Sequence, residues 1–194
     1  MPLKFDRLKF PEVILITADE IPDSRGYFVK LLTKKELKGY KIKFNLVEEF
    51  ESSSNKNVIR GLHYQLYPYL EGKLVRVLSG SIFDVVVDIR KNSPNFGKWL
   101  GVNLCASEFK SIWVPPGFAH GFLALEDNTR LLYKVNVEYN PNLYTGIRWD
   151  DKEIGVEWPL KGEAIISDKD SKLPSLKTAN INFEYKNGKV AGLD

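Results

Sequence analysis

Alternation of apolar and polar residues marks the strongest element of the chain, residues 81–90. There Phe83, Val85, Val87 and Ile89 share one face of an extended strand, and Asp84, Val86 and Asp88 share the other. On this pattern the two carboxylates face water, or else Asp84 orients a nearby cation. Turn signals flank the strand, Leu-Ser-Gly-Ser at 78–81 and Pro-Asn-Phe-Gly at 94–97. A short apolar run after Pro11 predicts a strand over 11–17, and residues 23–28 read as a turn that sets Arg25 beside Tyr27 and Phe28. From Phe44 onward strands dominate, interrupted by a polar loop at 52–55, with further strands over 99–104, 111–114, 121–125 and 130–138. The one convincing helix spans 33–39, with Thr33 as cap, Glu36 three residues on and Gly39 as terminator. A single helix and no βαβ alternation predict one mostly β domain over residues 1–194, an antiparallel sandwich or barrel. The Lys-, Asn- and Ser-rich tail after about residue 174 reads as a surface extension.

Composition narrows the picture. The 194 residues are 43% hydrophobic, enough for one substantial core, and 11 Phe, 9 Tyr and 4 Trp suit a β-rich fold with aromatic clefts. A formal charge of +3, from 28 basic and 25 acidic residues, does not favour a nucleic-acid surface. One cysteine, Cys105, rules out a disulfide framework, and neither a signal core nor a membrane-spanning stretch is present. These features predict a soluble cytoplasmic protein.

The candidate chemistry centres on residues 58–65, Val-Ile-Arg-Gly-Leu-His-Tyr-Gln, and 72–76, Gly-Lys-Leu-Val-Arg. His63 is one of only two histidines and lies close to Arg60, Lys73 and Arg76. An imidazole among fixed cations suits a base acting on a substrate that is, or becomes, anionic. It equally suits a strand histidine held by a hydrogen bond, with the cations solvated. In an ideal strand Arg60 and His63 point to opposite faces, so a shared site requires a bulge, for which Gly61 is the natural place. The second histidine, His120, ends a Pro-x-Gly-x-x-His segment that resembles the second motif of the cupin jelly rolls. Many cupins add a His-x-His pair on an earlier strand, whereas this chain has His63-Tyr64-Gln65. Two histidines without a convincing carboxylate make a poor iron, manganese or zinc site, so neither a metal nor another cofactor is expected.

Taken together, Arg60–Gln65, Gly72–Arg76, residues 83–90 and residues 116–122 resemble the dTDP-4-dehydrorhamnose 3,5-epimerase family. Leu132-Tyr133-Lys134, residues 155–159 and Ser167-Asp168-Lys169-Asp170 extend the resemblance, which runs from about Pro11 to Pro174. It implies a cupin-type jelly roll, a metal-free active site, a homodimer and action on a 4-keto-6-deoxyhexose linked to dTDP. By the same resemblance His63 is the base, oriented by Asp170, Lys73 holds the developing negative charge on the C4 oxygen, and Tyr133 is the acid on the other face. Arg25 and Arg60 would bind the diphosphate or sugar hydroxyls, His120 and Lys169 would touch substrate, and Tyr139 would stack on the thymine. The chemistry agrees, because a proton next to a ketone leaves only if the enolate is stabilised. Acid and base on opposite faces then turn proton exchange into inversion.

The chain departs from that pattern in the substrate shell. After the Arg25-Gly26-Tyr27-Phe28 turn stands Lys30 where an acid is usual, so this shell is expected to be more positive and Lys30 to offer the diphosphate a point charge. Glu48-Glu49-Phe50 replaces the Gln-Asp-Asn often found before the central strand, and Tyr144 replaces a Glu after Tyr139. Phe28, Lys30, Glu48, Phe50 and Tyr144 are thus the expected variable contacts to nucleotide or sugar. The alternatives are an epimerase acting at C3 or C5 only, a metal-dependent cupin enzyme, or a carbohydrate-binding jelly roll.

Overall fold

The computed structural model describes residues 2–186 and 189–191. Its elements begin with β1 (Lys4–Arg7), β2 (Ile14–Thr17), β3 (Glu20–Asp23), β4 (Gly26–Val29) and helix α1 (Lys34–Gly39). The long strands follow: β5 (Glu48–Ser54), β6 (Ile59–Gln65), β7 (Lys73–Ser79), β8 (Ser81–Asp88) and β9 (Trp99–Cys105). Then come β10 (Lys110–Val114), β11 (Phe118–Ala124), β12 (Thr129–Val135), β13 (Tyr144–Gly146), helix α2 (Asp168–Ser171), β14 (Tyr185–Lys186) and β15 (Lys189–Val190). Two antiparallel sheets form a cupin-like jelly roll, one ordered β1-β2-β10-β7-β12-β5 and the other β13-β6-β11-β8-β9.

Three apolar clusters cover four sheet faces. Between the sheets lie Val75, Val77, Ile112 and Leu131 from one, against Ile82, Val86, Phe118 and Phe122 from the other. Behind the five-stranded sheet, Leu62, Tyr64, Val85, Val87 and Ile89 pack on Ile147, Ile154, Leu176, Ile181 and Phe183. Behind the six-stranded sheet, Ile14, Ile16, Leu74 and Trp113 pack on Leu37, Ile42 and Phe44 around α1. Both faces are covered at the centre of each sheet, so a side chain of a central strand such as β8 that turns away from one core enters another.

That arrangement corrects the expectation for Asp84 and Asp88. Both are fully buried on the inter-sheet face of β8, because no face of this strand meets water. Asp88 is held by Arg90 Nε (2.9 Å), Arg90 Nη2 (2.6 Å) and the Ser93 hydroxyl (2.6 Å), while Asp84 faces His120. The predicted loop at 52–55 is instead the end of β5, which pairs with β12 through Ser54↔Thr129. This is an edge strand, and its Glu and Ser residues reflect an open side, not a turn. The predicted turn at 23–28 closes a hairpin, β3–β4, in which Asp23 pairs with Gly26. In α1 the Thr33 cap accepts from the Glu36 N–H (3.1 Å) and donates to its carboxylate (2.7 Å), as predicted. Gly39 is not the terminator, however, since the left-handed residue is Lys41, at φ 63°. Among its described residues, the tail beyond residue 174 is no surface extension. Leu176, Ile181, Phe183 and Val190 are buried in the cluster behind β6 and β8.

Candidate active site

The site grows out of strand alternation. On β8 and β11 the even-numbered residues face the inter-sheet space, which puts Asp84 and His120 there with Ile82, Val86, Phe118 and Phe122. On β7 and β12 the odd-numbered residues do so, which adds Lys73 beside Val75 and Tyr133 beside Leu131. On β6, Leu62 and Tyr64 join the rear cluster, so His63 between them turns inward. Arg60 reaches the same side through a bulge. His63 pairs with His120 and Arg60 with Phe122, so Gly61 and Leu62 together stand opposite Gly121. Glycine is required here, since Gly61 sits at φ +126° and a Cβ on it would come 2.6 Å from Gly121 Cα.

Two histidine–carboxylate pairs result. His63 Nε2 lies 2.8 Å from Asp170 Oδ1, and the other oxygen of Asp170 accepts from the Gly61 N–H at 3.2 Å. The short helix α2 presents Asp170, because Ser167 caps it by accepting from the Asp170 N–H (3.1 Å). His120 Nε2 lies 2.7 Å from Asp84 Oδ2 in a fully buried pair. Burial pushes the His63 pKa below its usual value; Asp170 opposes the shift, and the charges of Lys73 and Lys169 reinforce it. Burial acts the other way on Asp170, yet His63, the Gly61 N–H and Lys169 bring its carboxyl below the ordinary range. An ionised carboxylate only accepts, so neutral His63 donates from Nε2 and leaves the Nδ1 lone pair for a substrate proton.

The facing sheet carries the complementary groups. Tyr133 is half-buried, with its hydroxyl 3.3 Å from Ser52 Oγ on β5, and its withdrawal from solvent raises its pKa well above the usual phenol range, so it stays protonated. Its ring meets His120 edge-on at 6.5 Å. Lys73 is buried with its Nζ 2.9 Å from Glu71 Oε2. Tyr144 forms the wall between cations, with Lys169 Nζ 4.7 Å and Lys73 Nζ 5.8 Å from its ring centroid and the His63 ring at 5.3 Å. Tyr139 packs on Tyr144 at 5.1 Å, and its N–H donates to Glu48 (2.9 Å). Even-numbered β5 residues line this side: Ser54 accepts from Arg60 Nε (3.0 Å) and Phe50 pairs across from Tyr133. Glu48 therefore turns inward, while Glu49 turns out to pair with Lys134.

Three expected contacts are not gathered here within one chain. Arg25 is bound to Asp23 on its own hairpin (2.6 Å), and Phe28 is exposed beside it. Lys30 pairs with Glu36 at the start of α1 (3.2 Å), an engagement its place in the sequence does not reveal. Conversely, Glu71, Asp84 and Ser52 belong to the site, and no motif announced Glu71 or Ser52. Among the described residues, no group of three or more His, Cys, Asp or Glu side chains is arranged to hold a metal ion.

Comparison with known proteins bears on this geometry directly. The sequence model of the dTDP-4-dehydrorhamnose 3,5-epimerase family matches residues 7–178. The chain belongs to that family. It is 46% identical to the dTDP-4-dehydrorhamnose 3,5-epimerase of Shigella flexneri over 84% of this chain and 91% of that one. The Sinorhizobium fredii epimerase is 41% identical over 93% of both chains. Among solved structures, a dTDP-6-deoxy-D-glucose-3,5-epimerase from Legionella pneumophila in complex with dTDP-4-keto-L-rhamnose superposes with a TM-score of 0.88 at 35% identity. It covers 92% of this chain and 95% of that one. As an epimerase-family member this protein is an isomerase, and no helix among its described residues is long and apolar enough to cross a membrane.

Proposed function

We propose that this protein inverts C3 and C5 of dTDP-4-dehydro-6-deoxy-D-glucose to give dTDP-4-dehydro-L-rhamnose. The observation that carries this reading is the position of a base and an acid on facing sheets. His63, paired with Asp170, projects from β6, and neutral Tyr133 projects from β12 across the inter-sheet space. A sugar ring between them offers one face to each.

His63 Nδ1 takes the proton next to the C4 ketone, and the C–H electron pair becomes the enolate double bond as charge moves to the C4 oxygen. Asp170 stabilises the imidazolium without accepting the proton. Such a base contributes about 10²–10⁴-fold. Lys73 supplies charge-assisted hydrogen bonding to the oxygen, worth roughly 3 kcal/mol for a well-placed donor. Tyr133 returns a proton to the carbon from the opposite face, and the transient phenolate lies within the fields of Lys73 and Arg60. After solvent resets both groups, the same cycle serves the second carbon. Arg60, His120 and Lys169 hold the diphosphate and sugar hydroxyls, Tyr139 stacks on the base, and Glu48, Phe50 and Tyr144 shape the cleft. We assign no cofactor to the reaction.

The exposed β3–β4 hairpin, with Ile21, Tyr27 and Phe28 on its surface, supports a homodimer in which Arg25, Phe28 and Lys30 meet a second copy. Light scattering at micromolar concentration tests it, and a monomer there refutes it. A cytoplasmic location fits a chain whose one cysteine is free. Incubation with dTDP-4-keto-6-deoxyglucose in heavy water, followed by NMR, tests the reaction. Deuterium is expected at C3 and C5, and incorporation at neither carbon of a bound substrate overturns the proposal. Incorporation at one carbon alone assigns a monoepimerase instead.

A further inference from the structure

Lys73 has a neighbour that the reaction described above does not use. Glu71, two residues before it, is buried with it, and the two side chains are only 5% and 8% exposed. Their charged atoms lie 2.9 Å apart, yet Glu71 Oε2 has no hydrogen-bond partner, so the contact is one of charge and its angle lies outside hydrogen-bonding range. The backbone between them is pinned. The Gly72 N–H donates to Asn136 Oδ1 at 2.6 Å, and a Cβ on Gly72 would come 2.5 Å from the Trp113 ring, so the segment cannot shift toward that side.

The other buried carboxylates of the site, Asp170 and Asp84, are each engaged by a histidine, His63 and His120, whereas Glu71 touches the Lys73 ammonium itself. On β6 stands His63, whose protonation Lys73 opposes; on β12 stands Tyr133, and on β13 Tyr144, both neutral phenols. Val114 of β10 and Val135 of β12 flank Lys73 in the sheet. Beyond Tyr144 lies another cation, Lys169. With Glu71 removed, nothing in direct contact would offset the cost of holding that charge out of water, and a neutral amine stabilises an enolate oxygen far less.

We propose that Glu71 is the positioning residue of Lys73, a fixed counter-ion that keeps its ammonium charged and in place before substrate arrives. This rests on Lys73 serving as the enolate partner. Because the carboxylate attracts the ammonium without an aligned hydrogen bond, the N–H donors are left to turn toward the cleft. Removing one member of a buried pair strands the other, so Glu71→Gln exposes the role directly while conserving shape.

Two measurements on the full-length protein test it. Competitive acetylation with isotopically labelled acetic anhydride, read by mass spectrometry without substrate, reports the neutral fraction of Lys73. It is expected to label several-fold faster in Glu71→Gln than in the parent at the same pH, and equal labelling overturns the proposal. The second measurement is the ratio of variant to parent kcat on the dTDP-linked 4-keto sugar. This ratio is expected to fall with rising pH, by about tenfold or more between about pH 6 and 9, with KM little changed. A ratio constant with pH marks Glu71 as merely structural and overturns the positioning role. Faster labelling in Glu71→Gln with a parent enzyme that turns over no 4-keto sugar sinks the proposed reaction and leaves the counter-ion standing. Should Glu71→Gln not fold, Glu71→Asp takes its place, with the same directions and smaller changes expected.

Discussion

His63 and Tyr133 differ in what their loss should do, although both face one substrate. His63→Ala should abolish deuterium exchange, since the other histidine–carboxylate pair, His120 with Asp84, is fully buried and is assigned to binding, not to proton removal. Tyr133→Phe should let exchange continue while inversion is suppressed, because His63 can return a proton to the face it came from. Equal loss of exchange and inversion in Tyr133→Phe, with binding intact, would show that Tyr133 is not a dedicated acid. The pH profile follows from the same geometry. The active form of His63 is neutral, and burial lowers its pKa from 6.5, reinforced by Lys73 and Lys169. The acid limb of kcat/KM is therefore expected below pH 6.5. Lys169→Met removes one of those charges, so the limb should move to higher pH, and a limb that stays put would exclude Lys169 as a source of the shift. At this scale much was readable beforehand, because only two histidines exist and both stand in motifs. What was not readable are the through-space partners. Glu71 belongs to no motif, and the pairing of Asp84 with His120 depends on a fold that buries both sides of β8.

At the level of elements, alternation predicted strands well wherever one face differs from the other. It failed at β5, whose polar residues are spread over both faces of an edge strand, and at the β3–β4 hairpin, which is exposed up to Val29 and has no buried face to betray it. The Thr33–Glu36 box was legible because capping is local chemistry, independent of tertiary contacts. It also carries a pH-dependent prediction. The Glu36 carboxyl is lowered from 4.5 to about 2, first by the Leu3 N–H, then by the Thr33 hydroxyl and Lys30. A carboxyl depressed in the folded state contributes stability above its unfolded pKa and loses it as pH falls through the folded one. Glu36→Gln should therefore melt below the parent at neutral pH, and the gap should narrow as pH drops from about 4.5 toward about 2. A gap that is the same at every pH would assign the loss to the α1 cap geometry and not to charge. The bulge at Gly61 was likewise deducible, since Arg60 and His63 reach one site only if the strand gains a residue.

Across the whole molecule, the tail is where composition misled most. Its Lys, Asn and Ser residues describe its outer side, whereas Leu176, Ile181, Phe183 and Val190 are spaced irregularly and give no periodic signal, yet all are buried. Together they close the rear of the five-stranded sheet, the sheet that carries the proposed base. Phe183 meets Tyr64 edge-on at 6.1 Å, and the Tyr64 hydroxyl donates to the Asn180 carbonyl at 2.7 Å. Tyr64 is the neighbour of His63 on β6, so the tail braces the strand from behind while the site lies in front. Leu176 is tied in as well, its N–H donating to Asp151 Oδ2 at 2.9 Å. A chain truncated after Pro174 keeps every residue assigned to catalysis and binding, including Asp170. A surface extension would be removed without consequence. The burial predicts instead that the truncated protein unfolds at markedly lower temperature and fails to turn over substrate. Phe183→Ala isolates one contact and should cost about 3–5 kcal/mol. At this chain length that corresponds to roughly 2–4 °C of melting temperature per kcal/mol. Tyr67→Ala, at a side chain 49% exposed, serves as the comparison and should barely shift the transition. Equal melting temperatures for Phe183→Ala and the parent would mean that the tail merely rests on the sheet and that β6 holds His63 in place without it.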